Sequence, residues 1–552
     1  MTKKQSEIQN PKSKIVWFLF ALVIIFSYFF GLTIPLLGPD EPRYAQVARE
    51  MFERGDWVTP TLGGFDWFEK PVLLYWLQIA SYKIFGVSEF AARFGSALFG
   101  LGTILSLWIL GKNYPQIYTD EHGFEEQNPK SKIKNPKSDF ADWLVLISAS
   151  SIGLIAFSRG ASFDIILTFP MTAALCCYFL FETFLQKHYF SEAANHILIP
   201  IPKSKIISAT SPLVFAYLFL VGFYFFIGIA LLAKGLIGII FPFAIVFFYH
   251  ILKFELLPST KFLVSLLWGI LLSLIVASAW YLPMYQANGW KFIDEFFIQH
   301  HFQRYTSNKY QHPQPFWFFF AVLPLMTIPW LPFFFASIWN LFPRQFAKPQ
   351  IRKFANFSAS PLLLFSISWM LVPLVFFSLS GSKLPGYILP ALPAALILTT
   401  IYIYDFVRKS VKRKIFVKIT AVATFAVIAV ILQFFMMNYA ESETVKNLVA
   451  AANAQGYANQ KIVNLYVVSH NLEFYAAGRL LRETDGKQKR FDDFAVLISE
   501  MKREDLPEVL ILVANKDIKN VTENGSVEAK ILGDNGESSI IAIRILNFSS
   551  PN

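Results

Sequence analysis

Eleven stretches of this sequence are apolar for long enough to cross a lipid bilayer, and this feature constrains the fold more than any other in its 552 residues. A hydrocarbon layer about 30 Å thick takes about 20 residues of helix, and inside it every backbone N–H and C=O has to be bonded within the chain. The runs lie at roughly 15–36, 91–111, 141–157, 165–184, 213–232, 236–252, 262–282, 316–338, 359–379, 386–404 and 419–437. Composition agrees: 55% of the residues are hydrophobic and 16% charged, whereas a soluble domain carries about 25% charge, so a string of soluble domains is excluded. The expected fold is an all-α polytopic membrane protein of about 11 transmembrane helices over residues 1–437, followed by a small α/β domain over 438–552. That second region loses hydrophobicity and shows short strand-like runs at Lys461–Val468, Val509–Val513 and Ile540–Leu546, with a helical stretch at Leu472–Leu481.

The net charge of +11 is no argument for nucleic-acid binding, because Lys and Arg in a multi-spanning chain first report topology. With Lys3, Lys4, Lys12 and Lys14 inside, alternate connections carry Lys112 to Lys137, Lys187 to Lys205, Lys253 and Lys261, Arg344 to Lys353, and Arg408 to Lys418. The outer face then receives the loop 38–90, short turns near 158–164, 233–235 and 380–385, the loop 283–315 and everything after about 438. A repeated Asn-Pro-Lys-Ser-Lys-Ile string, complete at 10–15 and 128–133, falls in inner connections and reads as a tolerated polar insertion. The first run is too long for a signal peptide, and the segment Pro35-Leu36-Leu37-Gly38 lacks the small residues of a cleavage site, so it reads as a retained helix. Cys176 and Cys177 are adjacent in an apolar run, which leaves neither a disulfide framework nor a cysteine metal site.

The loop 38–90 is too long and too charged for a connector. Asp40 as an acidic N-cap, Pro42 in the first turn and Gly55 as a stop predict a helix over about 41–54. Tyr44, Val47, Ala48, Met51 and Phe52 share one face of it, which predicts a helix lying along the membrane surface. A second piece, Pro71–Phe85, is rich in Leu, Trp and Tyr, as interfacial segments are. Capping alone accounts for an acid at position 40, but the other outer ends add Glu69 and Lys70, Arg159 and Asp164, Lys234, His300, His301 and Arg304, and Lys383. Charges at a membrane boundary are costly unless paired or used. Cations there suit a phosphate on a lipid anchor, and glycosyl transfer from such a phosphate needs charge stabilisation plus a base for the acceptor hydroxyl.

At these positions the sequence resembles the protein O-mannosyltransferase and aminoarabinose (lipid A) transferase superfamily of membrane glycosyltransferases with the C-type fold. The matching strings are Gly38-Pro39-Asp40-Glu41-Pro42-Arg43-Tyr44-Ala45, Gly55-Asp56-Trp57, Phe68-Glu69-Lys70-Pro71, Ala92-Arg93-Phe94, Lys234-Gly235, His301-Phe302-Gln303-Arg304 and Lys383-Leu384-Pro385-Gly386-Tyr387-Ile388-Leu389-Pro390. The resemblance implies that Asp40 is the catalytic carboxylate with Glu41 beside it, that Lys70, Arg304 and Tyr387 contact a lipid-linked phosphate, and that Asp164 shapes the pocket. Lys383 is expected next to that phosphate, with Glu69, Arg159, Lys234 and His301 in support. It also implies a polyprenyl-phosphate sugar donor, an inverting single displacement, and a lipid, glycan or protein acceptor, on the extracytoplasmic face of a bacterial-type plasma membrane.

Two other readings use the same charges: a flippase for a lipid-linked sugar, and a polymerase or ligase that uses a lipid diphosphate. A carrier is expected to show paired halves with interrupted helices near the midplane, and the spans show no internal repeat. His300 and His301, with His312 nearby, invite a metal, yet neighbouring helical side chains point apart and no tight ligand spacing is present. No metal ligand or other cofactor is assigned; a divalent ion bridging a carboxylate and the donor phosphate stays open.

Overall fold

The computed structural model describes residues 11–113, 139–196, 212–255, 257–303, 313–341 and 360–546. Each predicted apolar run is helical. Among the described residues seven helices are long and apolar enough to cross a membrane: 89–113, 163–189, 212–234, 260–300, 361–378, 385–408 and 411–443. Three shorter apolar helices, Trp17–Phe29, Phe140–Ala149 and Ile237–Leu252, fall on three more of the expected runs. The run at 316–338 differs from a plain span, because it is two helices, Phe318–Met326 and Leu331–Leu341, bent by 120°. Pro329 in the link has no N–H to give to a helical ladder, and the helix stops before it.

The chain divides into two compact units: Met1–Phe30, Ser96–Arg159 and Phe163–Ala426 in one, Gly31–Gly95, Gly160–Ser162 and Val427–Asn552 in the other. In the first unit two broken helices repair each other. Helix Asp139–Ala149 stops, and Ile152–Phe157 resumes after Ser150 and Ser151. The Ile152 N–H donates to the Ile328 carbonyl at 2.8 Å, Ser151 Oγ to the Met326 carbonyl at 2.7 Å, and Trp330 Nε1 to the Ile147 carbonyl at 3.0 Å. Irregular backbone buried in an apolar bundle is tolerable only when its freed groups find such partners. Hydroxyls serve the intact helices in the same way, with Ser368 Oγ donating to the Ile245 carbonyl and Ser273 Oγ to that of Tyr224, both at 2.7 Å.

The second unit carries the outer loop. Its first helix, Asp40–Arg54, ends at Gly55, whose φ of 67° is left-handed and lets its N–H reach the Met51 and Phe52 carbonyls. The apolar face does not meet lipid, as the sequence pattern suggested. Val47, Ala48 and Met51 are fully buried in protein, Tyr82 Oη donates to the Ala45 carbonyl at 3.1 Å, and the Phe52 and Tyr82 rings lie 6.1 Å apart. Tyr82 belongs to the second loop helix, Leu73–Phe85. Between the two helices β1 (Thr61–Leu62) and β2 (Phe65–Asp66) form a hairpin, whose Gly63 N–H donates to the Glu50 carboxylate at 2.6 Å.

The C-terminal stretch builds a five-stranded mixed sheet in the order β4-β3-β5-β7-β6, with β3 Ile462–Leu465, β4 Arg490–Phe491, β5 Glu508–Ala514, β6 Val527–Asp534 and β7 Ser538–Ile545. β3 pairs in parallel with β4 and β5, and the remaining pairings are antiparallel, with Val509 opposite Ile543 and Leu510 opposite Ala542. Alternation along the strands feeds two cores. Val463, Val509 and Ile511 pack with Phe494, Leu497 and Met501 of helix Phe494–Arg503. Ile462, Leu510 and Leu512 turn the other way onto Leu448, Val449 and Leu472. The expected helix Leu472–Leu481 stops at Tyr475, because Ala477 and Gly478 turn left-handed with φ of 52° and 80°.

Candidate active site

Asp40 was expected to cap its helix and does not. Pro39 holds the N-cap position without a side-chain bond, Asp40 is the first helical residue, and its side chain is 53% exposed with Arg43 Nη1 at 3.7 Å. The arginine sits one turn on, a spacing readable from sequence as an i,i+3 pair. Its guanidinium also lies 5.4 Å from the centre of the Trp67 ring.

Glu41, the next residue, is held by four hydrogen bonds. One oxygen accepts Arg93 Nε at 2.9 Å and the Ala161 N–H at 2.8 Å; the other accepts Arg93 Nη2 at 2.7 Å and the Leu37 N–H at 3.1 Å. Burial alone would raise its pKa, but the Arg93 charge and these donors outweigh that and hold it below the usual carboxylate range. A carboxylate with four donors is a weak base and a strong anchor. Glu41, expected beside Asp40 at the catalytic site, thus ties Leu37, Arg93 and Ala161 together. Arg93 escaped notice as a site residue because 52 positions separate it from Glu41.

Glu69 and Lys70 pair with each other at 2.9 Å, both largely buried. Tyr44 and Tyr75, with ring centres 6.5 Å apart, connect this pair electrostatically to Asp40. Burial first, then the charges of Glu69 and Asp40, push both phenols well above their ordinary range, so they remain protonated donors. Two acids, two cations and two neutral phenols thus share one end of the loop.

The first unit holds a group of its own. Lys234, the last residue of helix Pro212–Lys234, donates to the Asp164 carboxylate at the start of helix Phe163–His196. The same ammonium stands 5.0 Å from the Tyr387 ring centre. Gly386 fits this packing because any Cβ there would overlap the Asp164 carboxylate. Lys383 is 7% exposed; its Nζ donates to the Ser380 carbonyl at 2.6 Å and, among the described residues, has no carboxylate within 4.0 Å. Arg159 bonds the Ser27 and Phe30 carbonyls that end the first helix, which makes it a cap. Arg304 and the His301 side chain lie outside the described residues. No three His, Cys, Asp or Glu side chains among the described residues group as metal ligands.

Known proteins supply the context for this geometry. The family model for dolichyl-phosphate-mannose-protein mannosyltransferases matches residues 13–114, which include Asp40, Glu41, Glu69, Lys70 and Arg93. The undecaprenyl phosphate-α-4-amino-4-deoxy-L-arabinose arabinosyl transferase 2 of Proteus mirabilis is 27% identical over 415 residues, covering 73% of this chain and 62% of the relative. The undecaprenyl phosphate-α-4-amino-4-deoxy-L-arabinose arabinosyl transferase of Shewanella sediminis is 29% identical over 409 residues, with the same 73% and 62% coverage. The chain thus spans about three fifths of the length of these curated relatives. Crystal structures of ArnT from Cupriavidus metallidurans, bound to undecaprenyl phosphate and apo, superpose with TM-scores of 0.67 and 0.65 at 19% and 18% identity, covering 97% and 98% of this chain. At that identity the likeness establishes the fold: a multi-pass membrane architecture of C-type. Loop motif, relatives and fold converge: the chain is similar in sequence to the protein mannosyltransferases and the aminoarabinose transferases, and it shares the C-type membrane fold.

Proposed function

We propose that this protein moves a sugar, of the aminopentose kind named for its relatives, from a polyprenyl-phosphate donor to a hydroxyl acceptor such as lipid A. The reaction is placed at the extracytoplasmic face of a bacterial plasma membrane, with the spans of 1–437 carrying the machinery and 438–552 an outer domain. One observation carries the assignment of the base: of two adjacent carboxylates, Glu41 is saturated with donors, whereas Asp40 is half-exposed with, among the described residues, one loose ion-pair partner.

In the proposed step the acceptor oxygen attacks the anomeric carbon while Asp40 takes its proton. The bond from that carbon to the phosphate oxygen breaks, its electron pair leaves with the lipid phosphate, and the anomeric configuration inverts. Lys70, Arg304, Lys383 and Tyr387 are proposed to hold the departing charge, with Glu69 orienting Lys70 and the Asp164–Lys234 pair setting the place of Tyr387. Lys383 supports this, since a buried ammonium whose partner among the described residues is a carbonyl favours an anion nearby. A positioned base contributes about 10²–10⁴ in rate, and electrostatic stabilisation of the leaving group a comparable share.

The test is release of undecaprenyl phosphate from its aminoarabinose conjugate by the full chain in lipid nanodiscs containing lipid A. Sugar-dependent release that Asp40→Asn abolishes supports the proposal. Passage of the intact conjugate across a vesicle bilayer without bond cleavage would sink it in favour of a carrier, and turnover only with a lipid-diphosphate donor would favour the polymerase or ligase reading.

A further inference from the structure

The segment just before Asp40 belongs to no regular element, so each of its backbone groups has to find a partner individually. Arg93 takes three of them, donating to the carbonyls of Leu32, Ile34 and Pro35. Glu41 accepts the Leu37 N–H. Between these, the N–H of Leu36, a residue with no exposed surface, donates at 2.9 Å to Tyr475 Oη. That hydroxyl in turn donates to Glu89 Oε1 at 3.0 Å, an oxygen that also takes Lys446 Nζ at 2.6 Å. A phenol can accept once and donate once in this way, and here both functions are in use. Burial, then the Glu89 charge, push the hydroxyl above its ordinary range, which keeps the donated proton in place.

Tyr475 ends the short helix Leu472–Tyr475, next to Phe474, whose carbonyl is 3.5 Å from Arg49 Nη1 of the loop helix. His470, just ahead of that helix, registers the same proximity. Burial and then the Arg43 charge lower its imidazole pKa, while the carboxylates of Glu473 and Asp40 pull the other way. All these residues lie within the second compact unit.

We propose that Tyr475 is a positioning residue for Asp40: by bridging the Leu36 N–H and Glu89 it ties the C-terminal region to the irregular lead-in that sets where the Asp40 helix begins. The inference rests on Asp40 being the base. Without the hydroxyl, a buried N–H four residues before Asp40 loses its partner and the lead-in relaxes, and a displacement well below 1 Å is enough to slow a positioned proton transfer.

Full-length protein in lipid nanodiscs, with undecaprenyl phosphate-aminoarabinose as donor and lipid A as acceptor, tests this through Tyr475→Phe. The kcat is expected to fall about fivefold to tenfold with the donor KM within about twofold. Amide exchange over residues 36–41 is expected to quicken. In the Asp40→Asn background the same change is expected to cost nothing further, because the group it positions is already gone. Unchanged exchange, or the same fold-loss in both backgrounds, would overturn the proposal. Near-normal turnover by Asp40→Asn would instead remove the base itself, while an inactive Asp40→Asn beside an unimpaired Tyr475→Phe would remove only the role of Tyr475.

Discussion

Two acidic sites in this molecule carry the same kind of group and leave it in opposite states. In the helical unit Asp164 is closed against Lys234, both side chains less than one-fifth exposed, with Gly386 packed directly on the carboxylate. In the loop unit Asp40 stands half-exposed beside an arginine at 3.7 Å. The difference teaches how to separate charges that hold a fold from charges held ready for a ligand. A carboxylate that structure needs is surrounded until its lone pairs are used, as that of Glu41 is. Asp40, by contrast, is left open to solvent, with Arg43 at 3.7 Å.

The largest test of that contrast is Asp40→Asn, which should lower transfer about 10³-fold or more with an unchanged unfolding midpoint. Glu41→Gln should do the reverse, destabilising the protein by about 3–5 kcal/mol because Arg93 is left buried without its counter-charge. The sign with pH follows from its depressed pKa. The Glu41 contribution is present above the ordinary carboxylate range and disappears as pH falls through the lower folded value, so parent and Glu41→Gln melting points should converge on acidification. Lys234→Met should cost about 2–4 kcal/mol, and Lys234→Met/Asp164→Leu should recover most of it; no recovery would mean that this pair is not the closed structural unit its geometry suggests. Lys70→Ala should raise the donor KM about tenfold while moving the melting point little, by titration of undecaprenyl phosphate-aminoarabinose. Arg490→Ala breaks an exposed pair with Asp492 and should change stability by less than about 0.5 kcal/mol by denaturant melting.

The membrane helices were legible because bilayer thickness converts directly into run length, and Gly55 marked the end of the loop helix because few other residues turn left-handed there. The breaks at Ser150–Ser151 and at Pro329 were hidden, since an interrupted apolar run reads like a whole one when partners for its freed backbone come from elsewhere in the chain. An apolar stripe on 44, 47, 48, 51 and 52 was equally visible, but periodicity says only that something covers it, and lipid and the Tyr82 helix are indistinguishable to it. Strand β6, Val-Glu-Ala-Lys-Ile-Leu-Gly-Asp, escaped because Glu528, Lys530 and Asp534 are polar and a bulge at Ile531–Gly533 interrupts the alternation. At the candidate site, residue types and neighbours were readable, including Glu69 with Lys70 and Arg43 one turn from Asp40. Which of two adjacent acids was committed was not readable, because that depends on Arg93 and Ala161.

The bond from Leu36 to Tyr475 spans 439 residues. At about 5–20 residues per second, a ribosome needs on the order of half a minute to a minute and a half to travel from one partner to the other. Throughout that interval the lead-in to Asp40 has been made and inserted but lacks the contact that completes it. A chain cut short between the last span, which ends at Glu443, and residue 475 would therefore carry the full acidic motif and its spans yet lack this bond.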